Sequence, residues 1–444
     1  MPGDGAGDLT KRGTAAWRVA AVLFVCMVQR LAGPEPVDAQ QFRQTQTDDY
    51  TRYELLEPTS HSFLITYDVS ATAAGAPFYF NSIRPGAEDE VHEVRDLASG
   101  RALEWRVVTG DEARRAGMVN ASASGRYIQV TLARPVPEGG QGRIRIVKTY
   151  RDSASYTSDG DRIAFDRSLG IDRNAIVLPA GYEVTAANYP VQVAQEEDGR
   201  IRVSFMNRGP AAVPLRIEGQ RIEAGARPPA GTPTRGELPE PDPAVGDGSP
   251  EPAGARLGYR FGERAFEDRD ITYFLQQPHT SSFRLFHDYT ETRPDVDRYL
   301  NVVRAGSSAT NPSAIDLDTG ESLRVETLRG VAITARGLDV RNVTPETEVV
   351  AIWFDPVPRG GSTRLRIEET YTDPGRYVLG DGVLIWDRSF GRARNTVILP
   401  DGWFLTANSV PAVISSLEDG RIRLRYINDR PGNIDVFVRA QPRG

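Results

Sequence analysis

The sequence predicts an all-β protein of two tandem homologous β-sandwich domains joined by a proline-rich linker. Three observations lead there: hydrophobicity that alternates with a period of two, turns punctuated by glycine, and a long internal duplication. Phe63-Leu64-Ile65-Thr66-Tyr67, Tyr127 to Leu132, Arg143 to Val147 and Ile201 to Phe205 alternate or run β-branched, as half-buried strands do. Ala98-Ser99-Gly100, Ala180-Gly181 and Asp198-Gly199 separate such runs, and Thr319-Gly320, Asp401-Gly402 and Asp419-Gly420 do the same further on. Asp-Gly accepts the positive φ that a tight hairpin turn requires. Helical signals are few. Asp111 to Gly117 is the best candidate, too short to organise a fold. Short strands with such turns predict a sandwich of roughly eight to eleven strands per domain, with an open barrel as the alternative.

The duplication is the strongest signal. Tyr53 to Phe63 matches Tyr273 to Phe283 at an offset of 220, which also carries Tyr79-Phe80-Asn81 onto Tyr299-Leu300-Asn301 and Arg84 onto Arg304. After one inserted residue the offset becomes 221, placing Thr149-Tyr150 on Thr370-Tyr371 and Phe165 to Gly170 on Trp386 to Gly391. Glu197 to Arg202 then meets Glu418 to Arg423. Solenoid repeats run to roughly 20–50 residues, so a period this long implies two whole domains. We assign residues 40–223 and 263–444 to the two repeats. Residues 224–262 form the linker, a proline, glycine and acidic stretch with little to bury, which favours an extended chain. Such a linker leaves the domains free to move unless a large interface joins them.

Residues 1–39 read as a signal peptide. Lys11, Arg12 and Arg18 precede an apolar run from Val19 to Val28, and Val37-Asp38-Ala39 offers a small-residue cleavage site. At about ten residues the run is half of what a membrane-spanning helix needs. The expected address is therefore secreted or periplasmic after cleavage near Ala39, with no transmembrane span. Cys26, the only cysteine, lies within that run, so the mature chain has no disulfide and no thiolate chemistry. The net charge of -7 is opposite to that of a nucleic-acid binder. Of the 53 basic residues only Lys11 and Lys148 are lysines, a bias that codon usage accounts for.

Chemistry-bearing patterns are sparse. None of the four histidines, His61, His92, His279 and His287, is shared by the two repeats, and each reads as a loop or strand-edge residue. A serine hydrolase common to both repeats lacks its base. Glu88-Asp89-Glu90 with His92 and Glu93 reads as a solvated acidic loop whose carboxylates are lost in the second repeat. The stretch Asp166-Arg167-Ser168-x-Gly170-x-x-Arg173-Asn174 recurs as Asp387-Arg388-Ser389-x-Gly391-x-x-Arg394-Asn395. Arginines there could grip an anionic or sugar ligand, with Tyr182 and Trp403 beside them for stacking. A strand-ending turn with locally paired polar groups explains the same residues. Phe165, Trp386, Tyr182 and Trp403 read equally as core aromatics.

The candidate ligand-binding residues are thus Asp166, Arg167, Arg173, Asn174 and Tyr182, with Asp387, Arg388, Arg394, Asn395 and Trp403. No catalytic residue, metal site or cofactor is assigned. The expectation is an exported, non-catalytic binding or structural protein of the cell envelope or extracellular space, with glycan or another envelope protein as its partner. The alternatives are a carboxylate-dependent, carbohydrate-active hydrolase using Asp166 or Asp387, and a small-anion or metal binder.

Overall fold

The alternation in Ser62–Ala71 buries Phe63, Ile65, Tyr67, Val69 and Ala71 and leaves most of the side chains between them half exposed. One packed face and one wetter face is what a period of two dictates. The computed structural model describes residues 41–222 and 269–443, apart from 208 and 431. The expected signal peptide (1–39) and the expected linker (224–262) lie outside the described residues. Strand accounts for 57% and helix for 5%, so the chain is all-β with several sheets.

The first repeat carries β1 (Gln46–Leu55), β2 (Ser62–Ala71), β3 (Phe78–Ile83), β4 (Glu88–Asp96), β5 (Trp105–Thr109), α1 (Gly110–Arg115), β6 (Arg126–Thr131) and β7 (Gly142–Arg151). It continues with β8 (Tyr156–Asp159), β9 (Arg162–Leu169), β10 (Arg173–Val177), β11 (Tyr182–Gln195), β12 (Ile201–Met206) and β13 (Val213–Arg221). One ladder runs β4-β7-β2-β1-β10-β12-β11, with β1 and β10 parallel from Tyr50↔Arg173 to Glu54↔Val177. Strand β11 then changes sheets. Its start pairs with β13, which continues to β9 and β8, while its end pairs with β12. Pro190 falls in the corner between the two pairings, where a residue without an N–H costs no ladder bond. A third sheet, β3-β6-β5, stands apart in the pairing.

The second repeat repeats this plan. Its strands are β14 (Arg269–Leu275), β15 (Ser282–Glu291), β16 (Arg298–Val302), β17 (Ser308–Asp316), β18 (Arg324–Arg329), β19 (Glu348–Trp353) and β20 (Thr363–Thr372), with a short helix α2 (Val331–Ala335) after β18. Then follow β21 (Tyr377–Gly380), β22 (Val383–Phe390), β23 (Arg394–Ile398), β24 (Trp403–Asn408), β25 (Ala412–Ser416), β26 (Ile422–Ile427) and β27 (Ile434–Pro442). The ladders are β17-β20-β15-β14-β23-β26-β25, β24-β27-β22-β21 and β16-β19-β18. Pairing order, including the parallel central pair, is the same in both repeats.

The ladders within each repeat stay open, so the barrel alternative is not what forms. Among the described residues, thirteen strands in one repeat and fourteen in the other exceed the expected eight to eleven. The surplus comes from strands of four to six residues, such as β8 and β10, too short to show a period. Glu88 to Glu93, expected as a loop, is part of edge strand β4. Its carboxylates are spaced along the strand and meet arginines one by one, Glu88 with Arg151, Asp89 with Arg126 and Glu93 with Arg95. The predicted helix is present as α1, capped by Thr109, whose hydroxyl accepts from the Glu112 N–H while the Glu112 carboxylate accepts from the Thr109 N–H.

The repeats are joined through backbone. Strand β11 pairs antiparallel with β25, Ala187 opposite Ile414 and Val191 opposite Ala412. Val191 and Ala412 are equivalent positions of the duplication, so each repeat offers the same segment, running in opposite directions, in an approximately two-fold contact. Asn408 stitches this seam. Its Oδ1 accepts from the Val193 N–H at 2.5 Å, and its Nδ2 donates to Val191 O at 3.2 Å and Val410 O at 2.6 Å. Ser416 Oγ donates to Thr185 O at 3.0 Å, and Arg443 forks onto the buried Glu183 at 2.8 and 3.3 Å.

Candidate functional site

The shared arginine motif lies mostly on β9 and β10, and strand alternation separates its members. Asp166 faces solvent and accepts from Arg216 Nη1 at 3.1 Å. Arg167 points the other way, is largely buried, and donates to Asp152 Oδ2 at 3.3 Å. Its guanidinium lies 5.6–5.8 Å from the ring centres of Phe63, Tyr53 and Tyr150. Arg173 lies over the Tyr50 ring, and Asn174 is buried with Nδ2 donating to Ile171 O at 2.7 Å, closing the turn into β10. Tyr182 is buried, its hydroxyl accepting from Arg221 Nη2 at 2.9 Å.

The second repeat separates its copies in the same way. Arg388 donates to Asp373 at 2.6 Å, Arg394 forks onto Asp270 at 2.6 and 2.8 Å, and buried Asn395 donates to Arg392 O at 2.9 Å. Asp387 is half-buried next to Arg388 on β22, its backbone N–H bonded to Arg376 O. Trp403 is buried and donates to Gln277 Oε1 at 3.1 Å. The ten residues therefore do not converge on one pocket, and Tyr182, Trp403, Phe165 and Trp386 are buried rather than offering a flat exposed row. His287 is buried too, not at a loop or strand edge, and burial pushes its imidazole down to about 4.

Three positions of the first-repeat motif do reach a cavity. Arg167, Ser168 and Gly170 form part of a cleft in the first repeat of about 620 Å³, bounded by β1, β2, β3, β6, β7 and β9. Its wall carries three basic side chains, Arg84, Lys148 and Arg167, and among the described residues no carboxylate. Lys148 comes from the inward face of β7 and is only 4% exposed. Its ammonium donates to Asn81 Oδ1 and, at 3.2 Å, to the Tyr150 hydroxyl. Both partners are neutral, and no carboxylate among the described residues lies within ion-pair distance of Lys148. Burial, helped by the neighbouring Arg167 charge, lowers its amine to about 7.

Behind this lysine a hydroxyl chain closes the cleft. Tyr79 donates to Gln46 Oε1 at 2.7 Å, Tyr79 and Tyr67 hydroxyls lie 3.1 Å apart, and Tyr67 donates to Asp49 Oδ2 at 3.2 Å. Asp152, under the rim, is shared by Arg167 and by Arg84 at 3.8 Å, and also accepts from Ser155 Oγ at 2.7 Å.

The second repeat builds the same place with the opposite charge. Lys148 becomes Glu369, which is 1% exposed, while Asn81 and Tyr150 become Asn301 and Tyr371. The asparagine turns its other end, Asn301 Nδ2 donating to Glu369 Oε2 at 2.6 Å and to the Tyr371 hydroxyl at 2.8 Å. Burial raises the Glu369 carboxyl, and its Oε1 has no hydrogen-bond partner among the described residues. The sequence shows Asn81 and Tyr150 only as markers of the duplication. Lys148 carries a signal of its own, as one of two lysines among 53 basic residues, but nothing in the sequence shows that it is buried.

No protein-family model and no curated protein matches the chain. Among solved structures, an M1 zinc metallopeptidase from Deinococcus radiodurans aligns at 14% identity and a TM-score of 0.26, over 46% of this chain and 50% of that one. An aminopeptidase N family protein from Idiomarina loihiensis aligns at 11% and 0.25, over 39% of this chain and 29% of that one. Collagen adhesin from S. aureus aligns at 8% and 0.16, over 79% and 86%. The chain spans about half the length of the Deinococcus peptidase it matches. At such identities and scores the likeness assigns neither a family nor a role to any residue.

Proposed function

We propose that this is an exported, non-catalytic binding protein of the cell envelope or extracellular space, two β repeats docked as one unit, with the cleft of the first repeat as its ligand seat. The observation that carries the reading is Lys148, a cation taken out of water with neutral partners only. A buried charge without a counter-charge is costly unless something completes it. The cleft has the volume of an ordinary small-ligand site, and such sites combine aromatic walls with a few convergent polar groups, as Tyr53, Tyr127 and Lys148 do here. The hydrolase alternative is weaker. Carboxylate-dependent glycoside hydrolysis needs two carboxylates facing one space, and Asp166 is instead on the outer side of β9, paired with Arg216. Among the described residues no helix is long and apolar enough to cross a membrane.

Ser82 and Val302 are equivalent, exposed positions of the two repeats, and only Ser82 lines the cleft. Titrating polar solutes, neutral and charged sugars among them, into the purified protein is expected to give one saturable site. Ser82→Trp, which fills the cleft mouth, abolishes it, whereas Val302→Trp leaves it intact. Binding that survives Ser82→Trp, or is lost equally in both variants, contradicts the assignment.

A further inference from the structure

We infer that the first-repeat cleft takes a small oxyanion, a carboxylate or phosphate group on a polar body, gripped by Lys148, Arg167 and Arg84. The inference rests on the binding-protein reading and gives it a ligand class. Charge balance makes the case. Arg84 and Arg167 share the single carboxylate of Asp152, which leaves one positive charge over, and Lys148 adds a second without a counter-ion among the described residues. This excess sits in a chain whose net charge is -7, so it is local rather than a general basic character. A planar guanidinium beside an ammonium, with neutral hydroxyl and amide donors around them, matches an oxyanion with several acceptor oxygens.

The groups that face Lys148 explain how the site responds to pH. Tyr53 of β1, Tyr67 of β2, Tyr79 of β3 and Tyr150 of β7 stay neutral, because burial raises each of them. Tyr127 of β6 lines the same cleft. Asp49 of β1 is engaged by Tyr67 and Gln46. Asp89 of β4 favours the ammonium but is paired with Arg126, and Arg167 of β9 disfavours it more strongly. An anion arriving beside Lys148 reverses that balance, so binding draws a proton onto the amine and tightens as pH falls through about 7. The second repeat holds Glu369 at the matching position and repels the same ligand, which makes it a built-in control.

Calorimetric titration of the whole protein with glucuronate, glucose 6-phosphate and glucose tests this. Glucuronate keeps one charge from about pH 6 to about pH 8.5, so its affinity reports the protein's titration alone. It is expected to bind with a stoichiometry of one, about tenfold more tightly at the lower pH, with proton uptake visible as a heat that changes with the buffer's ionisation enthalpy. Whichever of glucuronate and glucose 6-phosphate binds more tightly identifies the oxyanion as carboxylate or phosphate, and glucose binds at least about tenfold more weakly than either. Lys148→Met removes the pH dependence and the proton uptake. Equal binding of glucose and glucuronate at both pH values overturns the oxyanion inference and leaves the cleft a binding site. Background heats for both anions overturn it as well, and the Ser82→Trp comparison with other solutes then decides separately whether the cleft binds anything.

Discussion

Lys148→Met is expected to be more stable than the native protein near neutral pH, with an advantage that shrinks as the solution becomes alkaline. In the unfolded chain this lysine titrates near 10.5, and in the fold near 7. Below about pH 7 both states carry the proton, and the fold bears the full cost of a buried ammonium. Between about 7 and 10.5 the unfolded chain holds a proton that the folded one has released, so native stability rises with pH across that window. Above it the two states are equally deprotonated and the dependence ends. The shift corresponds to a ceiling of about 5 kcal/mol at roughly 1.4 kcal/mol per unit, and relaxation around the charge reduces what is measured to about 2–3 kcal/mol. Urea unfolding of both proteins from about pH 6 to about pH 10 checks it. A gap between them that does not change with pH contradicts the buried-ammonium account.

Asn408→Ala is expected to cost about 2–3 kcal/mol and to weaken the coupling of the two repeats. Its side chain satisfies the Val193 N–H and the Val191 carbonyl across the seam, and both lie in buried residues of β11. Alanine removes the side-chain partner of the Val193 N–H in a place that water does not reach, and such an orphan costs more than the bond itself contributed. The equivalent residue of the first repeat is Ala187, so the two-fold contact is asymmetric here and one asparagine does the bonding. Denaturant unfolding followed by tryptophan fluorescence reads mainly the second repeat, which holds Trp353, Trp386 and Trp403, while far-ultraviolet dichroism reads both. In the native protein the two curves coincide; in the variant the midpoint falls and the curves separate. An unchanged midpoint with coincident curves shows that the seam does not depend on Asn408.

Fold class was legible because strand periodicity is a local property. The run Phe63 to Tyr67 announces its buried face without help from any distant residue, and the duplication doubles the reading. Strands such as β8 and β10 were not legible, since four or five residues show no period and their pairing with β9 and with β1 is decided at a distance. The docking seam was hidden for the same reason. Tyr182 to Gln195 forms one long strand, and nothing in its sequence tells that its middle meets its own duplicate.

The site was legible only through Arg167. Spacing placed Asp166, Arg167, Arg173 and Asn174 together, but the period of two sends Asp166 outward where Arg167 goes inward, and Asn174 is used to close a turn. Aromatic residues considered as a sugar platform fill cores instead, Trp386 against Tyr273, Phe283 and Phe390. Lys148 became informative only with its burial, because an exposed lysine at the same position would be an ordinary solvated charge.

Titration of lysine side chains by nuclear magnetic resonance tests the central claim most directly. With Lys11 and Lys148 as the chain's only lysines, the spectrum is nearly free of overlap, and Lys148→Met assigns it. The account predicts that Lys148 titrates near 7 and that its midpoint moves upward when glucuronate is added. A midpoint near the ordinary 10.5, unmoved by the anion, would contradict it.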